Sequence, residues 1–456
     1  MPDYIEPPPI QFRALRSLRE STTLRLLSVG LLVLLLQIPI VMIGSLVQER
    51  QARRDAAIAD VSSKWGNSQT IVGPALVLPY TAHVVETTPN GTRVPRVETR
   101  AAVFLPNRLH ARGAVDAENR SRGIFSIPVY RLRLIVDGEF DRVAPSDAGV
   151  AAEDVAWTAA HLVVGMSDVR VQEQTTVTWN GTPTPFEPGV GRFAEAQAGI
   201  HANVAADEST ARYAFSFPLA VNGSVSLAMV PFARQTDVEL TSNSPHPNFQ
   251  GAWLPAERTV SASGFSAKWT IPFLGRNYPQ AWTSQNLRET ILKSAFGVEL
   301  IDPVDHYRMA DRSVKYAALF ILLTFASVWL IEVLSDARIH PIQYLLLGAA
   351  LCVFYLLELS LAEHLGFALA YAIAATSVLG LVTAYSVAIL RTAPRAALVG
   401  SGVAALYGYL YVLLTNEDYA LLIGSIGLFV AVAGVMLLTR RIDWYAPRGP
   451  LPHPSS

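Results

Sequence analysis

The last 143 residues of the chain, 314–456, hold five long apolar stretches and only 14 Asp, Glu, Lys and Arg side chains. The other 59 lie in the first 313 residues, where charge is about twice as dense. A chain divided in this way does not place both parts in one solvent. About 20 apolar residues span a hydrocarbon core of about 30 Å as a helix, and a helix satisfies its own backbone in lipid. The five stretches are 314–334, 342–361, 366–390, 396–415 and 419–438. Short polar breaks separate them, so neighbouring spans run antiparallel. Pro341 and Pro394 stand where helices begin, a place where proline forfeits no hydrogen bond. A buried soluble helix accounts for any one stretch, but five in succession require a membrane.

A further apolar run, 26–46, has 21 residues and no charge. A cleaved signal peptide needs a shorter apolar region with a small-residue cleavage site directly after it. Here Val47-Gln48-Glu49-Arg50 follows, and Ala57 and Ala59 come too late. The run reads as an uncleaved anchor, which makes six spans.

Lys and Arg in short loops set the orientation. Arg13, Arg16, Arg19 and Arg25 precede the first span, Arg338 follows the second, and Arg391 and Arg395 follow the fourth. Arg440, Arg441 and Arg448 follow the sixth. The two other short loops carry Glu363, His364, Glu417 and Asp418 but no Lys or Arg. Both tails, 1–25 and 439–456, are therefore expected in the cytoplasm. Residues 47–313 are expected outside it.

Several function classes are disfavoured at once. Lys+Arg 36 and Asp+Glu 37 leave a net charge of −1, which gives no electrostatic basis for nucleic-acid binding. The lone Cys352 allows no intrachain disulfide and no Cys-rich metal site. A hydrophobic content of 51% excludes an intrinsically disordered chain.

The exported segment opens with 47–65, where Ile58, Val61 and Trp65 share one helical face, as in a stalk. Its texture then turns to β. Residues 129–136 alternate polar and apolar and end in Asp137-Gly138, a dipeptide suited to a tight hairpin. Asn90-Gly91, Asn180-Gly181 and Asn222-Gly223 add three more turn signals. Residues 241–249, rich in Pro and Asn, read as an irregular loop. The segment is expected to be a sandwich-like, two-layer β domain. It contains no Gly-x-Ser-x-Gly, no His-Glu-x-x-His and no phosphate-binding glycine loop. Gly189-x-Gly191 lacks the strand-to-helix context of a nucleotide site, and His83, His110, His161, His201 and His246 are scattered singly.

Ionisable groups within spans are costly, and each is a candidate for function. Lys315 opens the second span and Glu332 closes it; Gln343 opens the third, and Glu358 lies near its outer end. At matching depth in an antiparallel hairpin, Lys315 is expected to pair with Glu358 and Glu332 to meet Gln343. Glu358, Glu363 and His364 gather at the outer end of the third span, as in a metal or proton site, although a solvated anchor explains them more simply. Gly400, Ala404 and Gly408 form a small-residue face suited to close helix packing. No inverted repeat or second set of broken helices points to a secondary transporter.

Specific strings carry a family resemblance. They are Asp311-Arg312-Ser313-Val314-Lys315-Tyr316-Ala317, Ile339-His340-Pro341-Ile342-Gln343-Tyr344, Leu359-Ser360-Leu361-Ala362-Glu363-His364-Leu365-Gly366-Phe367 and Thr439-Arg440-Arg441-Ile442-Asp443-Trp444-Tyr445. Val72-Gly73-Pro74-Ala75-Leu76 and Leu240-Thr241-Ser242-Asn243-Ser244-Pro245-His246-Pro247 add to it in the exported segment. In these the chain closely resembles the CreD family of bacterial inner-membrane proteins, which are linked to cell-envelope integrity. Pro7-Pro8-Pro9 lies outside the resemblance. What it implies is a setting: the inner membrane, expression under a two-component regulator, and tolerance of certain colicins and β-lactams. It supplies no catalytic residues.

The expectation is an integral membrane protein. Six helices form a bundle, with a large β-rich periplasmic domain between helices 1 and 2. Its partners are the lipid bilayer and envelope proteins or peptidoglycan-associated components, with no cofactor and no resident metal. The first functional reading is a non-enzymatic protein of envelope integrity and stress tolerance. A transporter or flippase using the polar cluster at the outer end of helix 3 is the alternative. A membrane-embedded enzyme acting on a lipid-linked substrate there is a weaker third.

Overall fold

The computed structural model describes residues 22–87, 93–283, 287–300, 306–335 and 339–440. Asn90-Gly91, Pro7-Pro8-Pro9, Arg13, Arg16, Arg19, Arg338, Arg441 and Arg448 lie outside the described residues. The chain divides into a helical unit, Met1–Ala52 with Val304–Ser456, and a β unit, Arg53–Pro303.

Helix α1, Thr22–Trp65, is a single element of 44 residues with Pro39 inside it. Among the described residues of the β unit come the short helix α2, Arg288–Lys293, and seventeen strands. The helical unit adds α3 (His306–Ser335), α4 (Pro341–Leu365), α5 (Phe367–Leu390), α6 (Ala393–Thr415) and α7 (Ala420–Thr439). Six helices, α1 and α3 to α7, are long and apolar enough to cross a membrane. Pro341 takes the first turn of α4, behind a capping box in which His340 and Gln343 serve each other's backbone. Pro394 lies in the first turn of α6.

The bundle core joins Leu36 and Ile40 of α1, Ile321 and Phe325 of α3, Leu351 and Phe354 of α4, Val378 of α5 and Val403 of α6. Gly348 lets Leu36 and Phe325 approach α4, where a Cβ would strike both. Gly400 packs against Thr383, whereas a Cβ on Gly408 would meet open space and Ala404 is exposed. The expected small-residue face therefore divides, because its members do not all look toward one neighbour. Helix α7 buries no residue. It meets α6 through Tyr409, whose hydroxyl donates to the Ile423 carbonyl at 2.5 Å.

The β unit consists of two sheets around one core. The first contains β1 (Gln69–Thr87), β2 (Arg93–Phe104), β5 (His161–Met166), β8 (Glu187–Pro188), β9 (Ala198–Asn203), β11 (Ser226–Met229), β13 (Pro247–Gly251), β16 (Ala281–Thr283) and β17 (Phe296–Leu300). Its order is β13-β17-β11-β1-β5-β9-β8, with β2 also on β1 and β16 on β2. The second runs β14-β15-β12-β3-β4-β10-β6-β7. Its strands are β3 (Arg108–Arg122), β4 (Phe125–Asp141), β6 (Thr176–Trp179), β7 (Thr182–Pro185), β10 (Arg212–Ser224), β12 (Gln235–Ser242), β14 (Glu257–Ser261) and β15 (Gly264–Pro272). Two pairings, β1 with β11 and β3 with β12, are parallel. Alternating burial along β10 marks a strand with one face on the core, whereas β1 is buried almost continuously from Gln69 to Pro79.

The turn signals fare unequally. Asn180 and Gly181, both at positive φ (46° and 83°), join β6 to β7 in a two-residue turn. Asp137-Gly138 is no turn: β4 runs straight through it, with Gly138 opposite Leu109 and Phe215. Glycine is needed there because a Cβ would collide with the Arg108 carbonyl and the Phe215 ring. Asn222-Gly223 likewise lies within β10. Of the expected loop 241–249, Thr241 and Ser242 end β12 and Pro247–Gly251 forms β13. The 47–65 face is packed rather than free: Ile58, Val61 and Trp65 rest on Ile127 and Val129. Trp65 donates to the Tyr130 carbonyl at 3.3 Å and lies 3.7 Å from the Arg120 guanidinium.

Candidate functional site at one end of the bundle

Between Asp311 and Lys315, helix α3 sends its polar side chains in three directions. Lys315 turns outward and binds Asp311 at 2.5 Å with its side chain 68% exposed. Arg312 reaches the end of α6, where it donates to the Leu413 carbonyl at 3.3 Å and pairs with Glu417 at 3.4 Å. A cation at that helix end suits the helix dipole and the carbonyls left without helical partners. Ser313 is fully buried and donates to Glu358 Oε2 at 2.7 Å. Glu358 is 1% exposed, and its Oε1 meets no hydrogen-bond partner among the described residues.

The expected Lys315–Glu358 pair is thus not formed. Depth was matched, but azimuth was not: two residues along a helix turn the side chain by about 200°. Ser313 faces α4 and Lys315 faces away. Nor do Glu358, Glu363 and His364 converge. Glu363 accepts from the Tyr307 hydroxyl at 2.9 Å and lies 3.8 Å from Arg50, while His364 is exposed. Among the described residues no three His, Cys, Asp or Glu side chains are placed to hold a metal ion.

The other two candidates sit at the opposite end of α3 and α4. Glu332 does not meet Gln343. It accepts from the Tyr344 hydroxyl at 2.8 Å and the Ile339 amide at 3.3 Å. Gln343 accepts from the His340 amide at 2.9 Å and serves the cap of α4. Between the two ends lie the apolar side chains Phe325, Leu351 and Phe354. Aromatic contacts fasten α4 to α5 and α6. Phe354 stands 4.5 Å from the Tyr407 ring, and the Tyr371 hydroxyl donates to the Tyr407 carbonyl at 2.6 Å. A cavity of about 10 Å³, lined by Phe320, Thr324, Tyr355 and Tyr407 among others, has room for one water and no substrate.

A family model described as "Inner membrane protein CreD" matches residues 21–445. The "Inner membrane protein CreD" of Escherichia coli (strain K12) is 34% identical over 418 residues, covering 91% of this chain and 92% of that protein. The chain belongs to the CreD family. With its six membrane-length helices, this CreD-family chain is a multi-pass inner-membrane protein.

Sequence reasoning missed the partners of these groups. Ser313, Tyr307 and Tyr344 are common residues, and only their helical phase relative to Glu358, Glu363 and Glu332 marks them. It also missed a set of buried polar groups in the β unit. His161 and His201 are not isolated: their rings lie 5.8 Å apart, edge to face. The His161 Nδ1 faces the Ala159 carbonyl at 3.1 Å, and burial draws its imidazole below the ordinary histidine value. Glu195, 3% exposed, accepts from the Trp282 indole at 2.7 Å, and burial raises its carboxyl above the usual range. The segment between β8 and β9 touches both groups, through Gly191 against His161 and through Glu195 itself.

Proposed function

We propose that this CreD-family chain is a non-enzymatic protein of cell-envelope integrity and stress tolerance. Its β unit stands in the periplasm and contacts envelope proteins or peptidoglycan-associated components, and both chain termini are cytoplasmic. One observation carries the reading. Glu332, Glu358 and Glu363 each accept from a hydroxyl on a neighbouring helix, and the cavity between the helices holds no more than one water. A β unit of two sheets is then the part with surface to offer a partner. The arginines of the short loops support the orientation.

Complementation of a strain lacking its own CreD tests this. Glu332→Gln and His364→Ala are expected to restore stress tolerance, and a chain lacking residues 66–300 is expected to fail although it reaches the membrane. Restoration by the chain without its β unit would overturn the proposal. A reporter fused after residue 440 that is active only in the periplasm would overturn the orientation.

The transporter or flippase alternative keeps one supporting observation, the unpartnered Oε1 of the buried Glu358. Loss of tolerance in Glu358→Gln at normal protein level would favour it.

A further inference from the structure

Arg276 follows the short turn after β15 and is 8% exposed. Its Nη2 donates to Gln280 Oε1. The Gln280 amide is in turn held by the carbonyls of Leu105 and Pro106, at 2.7 and 2.8 Å. Nε and Nη1 are buried and meet no acceptor among the described residues. A buried carboxylate can escape such a position by taking a proton, but a guanidinium stays charged at any working pH. An unpaired charge away from water is costly, and an orphaned buried donor calls for an ion or water that completes it.

Two rings compensate only in part. The Arg276 guanidinium carbon lies 4.9 Å from the Phe273 centroid and 5.0 Å from that of Tyr278. The ring faces attract the cation and the Tyr278 hydroxyl lies beside it, but that hydroxyl donates to the Pro231 carbonyl, and Nε and Nη1 stay unserved. A second cation stands beside the same ring, for Arg234 is 5.1 Å from Phe273. It is exposed, and neither arginine has a carboxylate partner among the described residues. Two like charges share one aromatic ring with no anion to offset them.

We propose that Arg276 and Arg234 bind a phosphate group, which reaches Arg276 when the half-buried Phe273 ring turns aside. Two donors of Arg276 are free and Arg234 brings a second cation to the same ring. A phosphate takes a guanidinium fork as well as a carboxylate does, and its second negative charge offsets both arginines at once. The phosphate is either a free anion or part of a lipid headgroup. Leu274 on the same turn is 91% exposed, and Leu254 on the neighbouring loop is 66% exposed. Those loops touch, since a Cβ on Gly275 would strike the Trp253 indole. Two bare leucines beside a cationic site suit a lipid-borne phosphate.

The test uses the full chain in a phosphate-free neutral detergent, with thermal unfolding followed by tryptophan fluorescence. Inorganic phosphate and a short-chain phosphatidylglycerol are titrated separately against chloride and acetate at matched ionic strength. Phosphate is expected to raise the unfolding temperature saturably. Arg234→Gln should weaken the apparent affinity about tenfold. Arg276→Met should abolish the response and raise the unfolding temperature in chloride alone, because it removes the uncompensated charge. If Arg276→Met does not fold, the exposed Arg234→Gln carries the test. Tighter phosphatidylglycerol binding that Leu274→Ser weakens assigns the phosphate to a lipid; equal effects of the two probes assign it to a free anion. No saturable response to either probe, an equal response to acetate, or a full response in Arg234→Gln overturns the proposal.

Discussion

Ser313 and Lys315 show how much depends on helical phase. Ser313 is the hydrogen-bond donor to Glu358, and Lys315 points away. Ser313→Ala leaves both oxygens of a buried carboxyl unserved and should destabilise the bundle by about 1–3 kcal/mol, read by thermal unfolding in detergent. Lys315→Ala should leave unfolding unchanged, because the ion pair it loses is exposed. An equal loss in both variants would contradict the assignment. Depth along a span could be read from sequence, since it follows from counting residues; direction around the span could not, since it depends on which neighbour packs where. Gly138 makes the same point in a sheet. Asp137-Gly138 resembles a turn by composition, yet the glycine serves the close approach of Phe215. Gly138→Val should cost about 1–3 kcal/mol through overpacking, measurable by denaturant unfolding.

Elements divide by the length of their signal. The six apolar helices were legible because a run of about 20 apolar residues is a continuous signal. Strands were legible where one face is solvated, as along β10, but not where both faces are covered, as in β1. The segment between β8 and β9 was silent in sequence, since neither His161 nor Glu195 lies near its partner along the chain. Its two titratable contacts oppose each other in pH. His161 is depressed below its unfolded value of about 6.5, so its contribution is complete above that pH and is lost as pH falls through the lower folded value. Glu195 is raised above 4.5, so its contribution is complete below that pH and is lost as pH rises through the folded value. Glu195→Gln should therefore raise the unfolding temperature at pH 7.5 and leave it unchanged at pH 4. His161→Gln should reduce the loss seen as pH falls below 6.5. A parallel shift of the whole pH profile in either variant would contradict these assignments.

Among the described residues the two large cores are separate clusters: one of membrane helices, one between two sheets. A fragment spanning 53–303, secreted behind a signal peptide, should accumulate as a soluble protein with the circular dichroism of a β fold. Insoluble accumulation would show that the second core is not self-sufficient. Helix α7 belongs to neither core, as it buries no residue and leaves Leu421, Phe429 and Leu437 exposed. For this helix the surrounding oil takes the place of a protein interior. Its sequence answers to a solubility rule in place of a packing rule, so apolar residues should exchange freely along it. The exception is the Gly427 contact with Tyr409, the point where the helix must fit another surface.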